Sequence, residues 1–262
     1  MSLSVLPSFI KIYIAALAFI LGLVMGSALN CLSYRYSHGL KWSGGRSVCP
    51  DCGHTLAASD LIPLFSWIFL KGRCRYCGEK ISPRYPLSEL TLGIAYTALL
   101  LRFDLSLETL ASLILVSCLF CLSLIDIETL TIPNRFLIIP ALCRLAELFI
   151  EGGISQLWYG VYHALILGGF ILILSLVMDK LLHKESMGGG DIKLLFMLGL
   201  FFDLPCCLLL LILACLAGIV IASVVMKLER DTPFPFGPSI SLAAFITLLI
   251  GQQLSGWYIS LL

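Results

Sequence analysis

The sequence contains few charged residues. Asp, Glu, Lys and Arg make up 13% of its 262 residues, 59% are hydrophobic, and the formal net charge is only +1. A soluble domain usually has about 25% charged residues, so this composition excludes an ordinary soluble fold. The near-zero net charge also gives no indication of a nucleic-acid partner. We therefore expect an all-α membrane protein with several spans, because helices satisfy their backbone hydrogen bonds within lipid.

Several catalytic signatures are also missing. No H-E-x-x-H pair is present, so a zincin-type metalloprotease is unsupported. A serine hydrolase lacks its G-x-S-x-G turn, and no glycine-rich dinucleotide-type fingerprint follows a strand. We expect no signal peptide, because the first apolar run is too long and lacks a small-residue cleavage pattern after a basic start.

Long hydrophobic runs occupy most of the chain. A helix needs about 20 apolar residues to cross a bilayer, and shorter ones are tolerated within a bundle. We predict eight spans, at residues 9–30, 87–102, 107–126, 134–150, 157–180, 191–204, 206–226 and 238–260. The first span ends in small residues that allow close helix packing in lipid: Gly22, Gly26, Ser27 and Ala28.

The basic residues are distributed unevenly between the two sides of the predicted membrane. Residues 31–86 hold eight of the 17 Lys and Arg residues. With alternating crossings, only Lys11, Arg102 and Arg144 fall nearer the other side. The positive-inside rule then makes the basic side cytoplasmic and the N-terminus external.

Two carboxylates stand at the ends of hydrophobic runs. Asp126 follows the run that starts at Leu105, and Asp191 precedes the run 194–202. Acids in such places are functional candidates by default. The predicted topology puts both at the cytoplasmic face, where one can stay protonated while the other activates water, as in aspartic proteolysis. The alternative for Asp191 is that it caps a helix.

The surroundings of the second acid are unusual. Asp191 is preceded by three glycines, Gly188, Gly189 and Gly190. Because they have no side chains, another backbone segment can come close to the Asp191 carboxylate. Lys193 follows, and it either tunes the acid pair or extends to lipid headgroups. The proline-rich segment 233–238 breaks the chain before the last span. It is either a wall of the same site or a plain loop.

Four cysteines form two C-x-x-C-G knuckles, 21 residues apart. Cys49, Cys52, Cys74 and Cys77 have the spacing of a tetrahedral zinc site, and four thiolates leave no open position, so the metal would be structural. Residues 31–86 are too few to form a large hydrophobic core, so this segment needs a stabilising cross-link such as a bound metal. A disulfide is disfavoured in the reducing cytoplasm, and free or redox thiols remain the alternative.

Together these motifs resemble those of the bacterial prepilin peptidases, also called type IV leader peptidases, which are membrane aspartic proteases of the G-x-G-D type. Asn134 stands where this family commonly has Asp. The resemblance covers nearly the whole chain, through residues 26–30, both knuckles, 62–67, 81–89, 126–134, 188–194 and 235–238.

The resemblance implies two activities at the inner membrane, with the active site facing the cytoplasm. Members cleave the leader of type IV prepilins and type II secretion pseudopilins after a glycine, and many then N-methylate the new terminus with S-adenosylmethionine. The expected catalytic pair is Asp126 and Asp191, while the residues that bind the methyl donor stay unknown. The implied organisation is an anchor at 1–30, a zinc domain linked to methylation at 31–86 and a peptidase bundle at 87–262.

Two other functions remain open from the sequence. A preflagellin-type G-x-G-D protease would act on other membrane substrates, although the doubled knuckle argues against it. A non-enzymatic, zinc-bearing membrane scaffold or a transporter would not require both acids. The change Asp126→Asn separates enzyme from scaffold, because it should abolish leader cleavage while folding and zinc content persist.

Overall fold

The structure, a computed structural model, describes residues 5–41, 45–184, 186–228 and 234–260, with side chains omitted at 224–228 and 258–259. Parts of the predicted anchor (1–4), the zinc domain (42–44) and the proline-rich segment (233) therefore lie outside the described residues. The helices are α1 (Ser8–Ser37), α2 (Phe65–Phe69), α3 (Arg84–Phe103), α4 (Leu107–Thr129), α5 (Arg135–Leu182), α6 (Gly189–Leu198), α7 (Leu204–Leu228) and α8 (Gly237–Ile259), with a 3-10 turn at Ala58–Leu61.

The expectation of an all-helical chain is confirmed. Among the residues that the structure describes there is no β-strand, and extended pairing is limited to isolated bridges at Val48–Thr55 and Arg73–Lys80. The chain divides into two compact units, Met1–Thr109 and Leu110–Leu262.

In the first unit, α1 and α3 pack backbone against backbone. A Cβ added to Gly22 would lie 2.5 Å from the carbonyl oxygen of Leu92, and one added to Gly26 would lie 2.7 Å from the Cα of Glu89. Asn30 joins the same two helices, because its Nδ2 donates to the Ser88 hydroxyl. Small residues therefore let α1 and α3 approach closely, as the sequence predicted for Gly22 and Gly26.

In the second unit, α4 and α6 supply many of the most deeply buried side chains. Leu115, Leu122 and Ile125 of α4 are fully buried, as are Leu194 and Leu198 of α6. Such packing holds both helices rigidly. The two candidate acids stand on these helices.

The predicted count of eight membrane spans is not confirmed. Within the described residues, five helices are long and apolar enough to cross a membrane: Ser8–Ser37, Leu107–Thr129, Arg135–Leu182, Leu204–Ser223 and Gly237–Trp257. The remaining long helix, α3, is not among them, and α6 has only 10 residues. A helix of that length is about 15 Å long, half the thickness of the hydrocarbon layer.

The helix α5 covers two of the predicted spans, 134–150 and 157–180. Its 48 residues would extend about 72 Å at 1.5 Å per residue, which is more than one crossing requires. Gly153, with φ 64° and ψ −154°, interrupts the helical backbone between the two predicted spans. Only glycine adopts this conformation readily, so the interruption is encoded in the sequence.

Candidate active site

Asp126 lies near the C-terminal end of α4 and is buried, with 5% of its surface exposed. The backbone N–H of Gly237, the first residue of α8, donates a 2.9 Å hydrogen bond to its Oδ2. A Cβ on Gly237 would stand 2.7 Å from the same oxygen, so only glycine permits this approach. The N-terminus of α8 thus meets the carboxylate directly and favours a negative charge there.

Asp191 lies in the first turn of α6. The N-cap of this helix is Gly188, whose carbonyl accepts the Asp191 N–H at 3.0 Å. Asp191 is therefore not the N-cap residue, although it lies in the first turn, near the positive end of the helix dipole.

The three glycines before Asp191 differ in their surroundings. A Cβ on Gly188 would lie 3.2 Å from the Asp191 Oδ2, and one on Gly190 would lie 3.0 Å from the Cβ of Ile132. At Gly189 it would meet nothing within 4 Å. Two of the three glycines thus allow a close approach, to the carboxylate itself or to the segment that follows α4.

The segment after α4 and the first turns of α6 lie side by side, because a Cβ on Gly190 would approach Ile132 to 3.0 Å and Lys193 contacts Asn134. This packing places Asp126 and Asp191 within electrostatic range of each other. Ile125, next to Asp126, is fully buried, as is Leu194, one turn beyond Asp191. Well-packed helices therefore hold both carboxyl groups.

Lys193 is exposed and donates from its Nζ to the Oδ1 of Asn134 at 3.4 Å. This contact joins the two sequence motifs, because Asn134 follows α4 and Lys193 belongs to α6. Lys193 thus has a polar partner within the protein.

The sequence pattern around Gly237 fits either a wall of the site or a plain loop, and it does not by itself identify the donor to Asp126. A glycine at the start of the last helix, after Pro235 and Phe236, is the signal that identifies it, because a helix N-terminus without a side chain can receive a carboxylate.

The four knuckle cysteines form a second candidate site, a metal centre. The Sγ atoms of Cys49, Cys52, Cys74 and Cys77 all lie within 4.8 Å of one another. Cys49 and Cys77 approach to 3.9 Å between sulfurs. Zinc with tetrahedral Zn–S bonds of about 2.3 Å separates its sulfurs by about 3.8 Å, so the group fits this ion.

The two knuckles have the same backbone geometry. The N–H of Gly53 donates to the carbonyl of Cys49 at 2.9 Å, and that of Gly78 to the carbonyl of Cys74 at 3.0 Å. Both glycines have positive φ, 70° and 77°. Backbone N–H groups of Cys77 and Tyr76 also lower the pKa of the Cys74 thiol to about 7, whereas desolvation and the neighbouring cysteines raise the pKa of the Cys77 thiol to about 12. The thiolate that a metal binds is therefore favoured at Cys74.

Comparisons with known proteins cover most of the chain. The family profile described as the bacterial peptidase A24 N-terminal domain matches residues 20–103, and that of the type IV leader peptidase family matches residues 113–223.

Several curated relatives carry the name prepilin leader peptidase/N-methyltransferase. That of Aeromonas salmonicida (strain A449) is 36% identical over 220 residues, 82% of this chain and 75% of that protein. Those of Bacillus subtilis (strain 168) and Neisseria gonorrhoeae are 32% and 31% identical, over 94% and 88% of this chain and 98% and 88% of the relatives. No solved structure matches the chain.

Proposed function

The chain belongs to the type IV leader peptidase family, and from this we propose that it is a bifunctional membrane enzyme. It cleaves the leader of type IV prepilins and type II secretion pseudopilins after a glycine, and it N-methylates the new terminus. The observation that carries the peptidase activity is the placement of two carboxyl groups, Asp126 and Asp191, within range of each other on packed helices.

In the proposed cleavage, Asp126 and Asp191 share one proton and hold a water between them. The ionised carboxylate takes a proton from the water as its oxygen attacks the scissile carbonyl carbon. The protonated carboxyl donates to the carbonyl oxygen, and the leaving amine receives a proton as the peptide bond breaks. Because the pair titrates as a unit, the acid and base roles belong to the pair and not to either residue.

Gly237 and the glycines before Asp191 have supporting roles in this proposal. The N–H of Gly237 orients the Asp126 carboxylate through its Oδ2 and leaves the other oxygen for water. Gly188 keeps the space beside the Asp191 carboxylate clear and Gly190 allows Ile132 to approach, while Gly189 and Lys193 complete the motif. Lys193 fixes the segment after α4 through Asn134.

Cys49, Cys52, Cys74 and Cys77 hold a structural zinc ion in this proposal, as the spacing of their sulfurs supports. Four thiolates occupy every position on the metal, so it would staple the knuckles and take no part in either reaction. The thiols would bind in their ionised form, and the two matched turns, each with one buried and one exposed cysteine, would orient them before the metal arrives.

S-Adenosylmethionine is the methyl donor that we propose for the second activity. The division of labour expected from the sequence stays a prediction: an anchor at 1–30, methylation linked to 31–86, and peptide cleavage within 87–262. We also propose that the protein lies in the inner membrane with its active site towards the cytoplasm, because most Lys and Arg residues fall on that side.

Leader cleavage by the purified protein in lipid nanodiscs tests the proposal. Prepilin should be cleaved by the wild-type chain and not by Asp126→Asn or Asp191→Asn. Glu128→Gln is the matched control, because Glu128 lies exposed on the same helix two residues beyond Asp126. Full activity in either Asp variant contradicts the aspartic mechanism. No cleavage by the wild-type chain favours the non-enzymatic scaffold.

A further inference from the structure

The first unit contains a cavity of about 620 Å³. Its walls come from α1, the knuckle segment 45–82 and α3. A volume of this size falls in the range of about 300–1,000 Å³ typical of small-molecule sites. The cavity mixes aromatic and charged lining groups, among them Tyr34, Arg35, Trp67, Tyr85 and Glu89.

Glu89 is a buried carboxylate at the wall of this cavity, with 7% of its surface exposed. Its Oε2 accepts the backbone N–H of Leu64 at 2.7 Å, and the Ser27 hydroxyl also donates to it. Both donors are neutral. In the part of the chain that the structure describes, no Lys or Arg side chain pairs with Glu89.

Asp60, the other well-buried acid of the cavity wall, is arranged differently. It accepts from the Arg75 guanidinium at 2.7 Å, the Tyr76 hydroxyl at 3.1 Å and the Ala57 N–H at 3.1 Å. Its charge is therefore balanced within the protein. Among the described residues Glu89 has no such counter-ion, and a buried carboxylate without one is costly.

The backbone that contacts Glu89 is strained. Leu64 has φ 63° and ψ −52°, a conformation that a branched residue rarely adopts, and it is the N-cap of α2. Strain of this kind persists where surrounding contacts hold it, often at functional sites. The Glu89 hydrogen bond is such a contact. It joins the segment between the two knuckles to α3.

The part of the wall that contains Trp67 is also preformed. The indole N–H of Trp67 donates to the carbonyl of Ile81 at 3.1 Å, and its ring packs against Gly72, where a Cβ would approach to 2.9 Å. This fixed aromatic surface suits a flat ring, and Arg35 and Arg46 on the same cavity suit a carboxylate.

We propose that this cavity binds the methyl donor and that the Glu89 carboxylate contacts its sulfonium group. The inference rests on the proposed methyltransferase activity. S-Adenosylmethionine has a flat base, an amino-acid end with a carboxylate, and a fixed positive charge on sulfur. The positive charge supplies the counter-ion that Glu89 lacks. The base of the donor would stack on Trp67, and its amino-acid carboxylate would pair with Arg35 and Arg46.

The reaction keeps a positive charge beside Glu89 throughout. The lone pair of the new N-terminal amine forms a bond to the methyl carbon, and the electron pair of the C–S bond returns to sulfur. Sulfur becomes a neutral thioether, and the positive charge passes to nitrogen, which then releases a proton to water. A carboxylate next to this path stabilises the charge before and after transfer.

The test compares the affinities of the donor and of its neutral product. Calorimetry on the full-length, zinc-loaded protein in nanodiscs measures the Kd of S-adenosylmethionine and of S-adenosylhomocysteine. Glu89→Gln should weaken donor binding about tenfold, as loss of a close charge pair does, and product binding less than about twofold, because the product has no sulfonium charge. Glu79→Gln is the matched control and should change neither, because Glu79 is exposed and outside the cavity lining.

The outcomes separate this inference from the activity on which it rests. Equal weakening of both ligands in Glu89→Gln, with zinc content and leader cleavage kept, makes Glu89 structural and overturns the inference alone. A wild-type chain that cleaves prepilin but binds no donor overturns the proposed methylation as well. If Glu89→Gln does not accumulate, Glu89→Asp is measured in its place, because it keeps the negative charge. Tighter binding of S-adenosylmethionine than of S-adenosylhomocysteine, as in the wild type, supports the inference. Loss of this difference contradicts it.

Discussion

The N–H of Gly237 contacts the Oδ2 of Asp126 at 2.9 Å, across 111 positions of sequence. One carboxylate oxygen is thereby committed to the start of α8. Asp126 then has a fixed orientation. Asp191 lies in the first turn of α6, directly after three glycines that leave space around it. The pair is thus assembled from three helices, and a small displacement at any of them should affect peptide cleavage.

Gly237→Ala should reduce leader cleavage about a hundredfold, because a displacement of about 1 Å at a catalytic group has effects of this size. The added Cβ would lie 2.7 Å from the Asp126 Oδ2 and 3.2 Å from its Cγ, so the carboxylate must move. Initial rates on a prepilin substrate measure the effect. Gly256→Ala, on the same helix with nothing within 4 Å, is the control and should keep its rate. Equal rates in both variants would show that the contact is dispensable.

The three glycines before Asp191 should not be equivalent. Gly189→Ala should retain full cleavage, because its Cβ would meet nothing within 4 Å. Gly188→Ala and Gly190→Ala should lose roughly tenfold or more, since their Cβ atoms would press on the Asp191 carboxylate and on Ile132. The cleavage rates of the three single variants, measured side by side, are the test. A loss at Gly189 as large as at its neighbours would mean that backbone flexibility matters more than space.

Cys74→Ser should release most of the metal, because the remaining three thiolates no longer close a four-sulfur site. Elemental analysis after purification under reducing conditions should find about one zinc per wild-type chain and far less in the variant. Cys215→Ser is the control, because Cys215 is exposed on α7 and outside the cysteine cluster. Wild-type protein without zinc, purified in the absence of chelators, would contradict the metal site.

Local patterns in the sequence predicted much of this arrangement. The spacing of Cys49, Cys52, Cys74 and Cys77 needs only two short turns to bring the sulfurs together, so the cluster could be predicted from spacing. The two acids could be found because a carboxylate at the edge of an apolar run is costly to place and is therefore a functional candidate.

Features that depend on distant contacts could not be predicted in the same way. The Gly237 donor to Asp126 depends on how α4 and α8 pack, which no local pattern encodes. The surroundings of Glu89 likewise depend on the fold, because its hydrogen-bond donors among the described residues, Leu64 and Ser27, are far from it in sequence. The count of eight spans is not confirmed, because α3 and the 10-residue α6 are not among the candidate spans of the described residues, and α5 covers two of the predicted spans in one element.

The two proposed activities should separate by mutation. Asp191→Ala removes half of the catalytic pair and should lower leader cleavage on the order of 10⁴-fold or more, as loss of a catalytic group does. Methylation of an already cleaved pilin peptide should continue, because the Glu89 cavity and the cysteine cluster both lie within the first unit, Met1–Thr109, and Asp191 lies outside it.

Cys74→Ser should do the reverse. Folding of a small metal-stapled segment depends largely on the metal, so its loss should loosen residues 31–86 and stop methylation. The helices of the second unit are held by their own packing, so the acid pair should survive and cleavage should fall less. Both variants are assayed on intact prepilin and on cleaved peptide with S-adenosylmethionine. Equal loss of both activities in Cys74→Ser, with the protein still folded in the membrane, would make the knuckle segment part of the peptidase site.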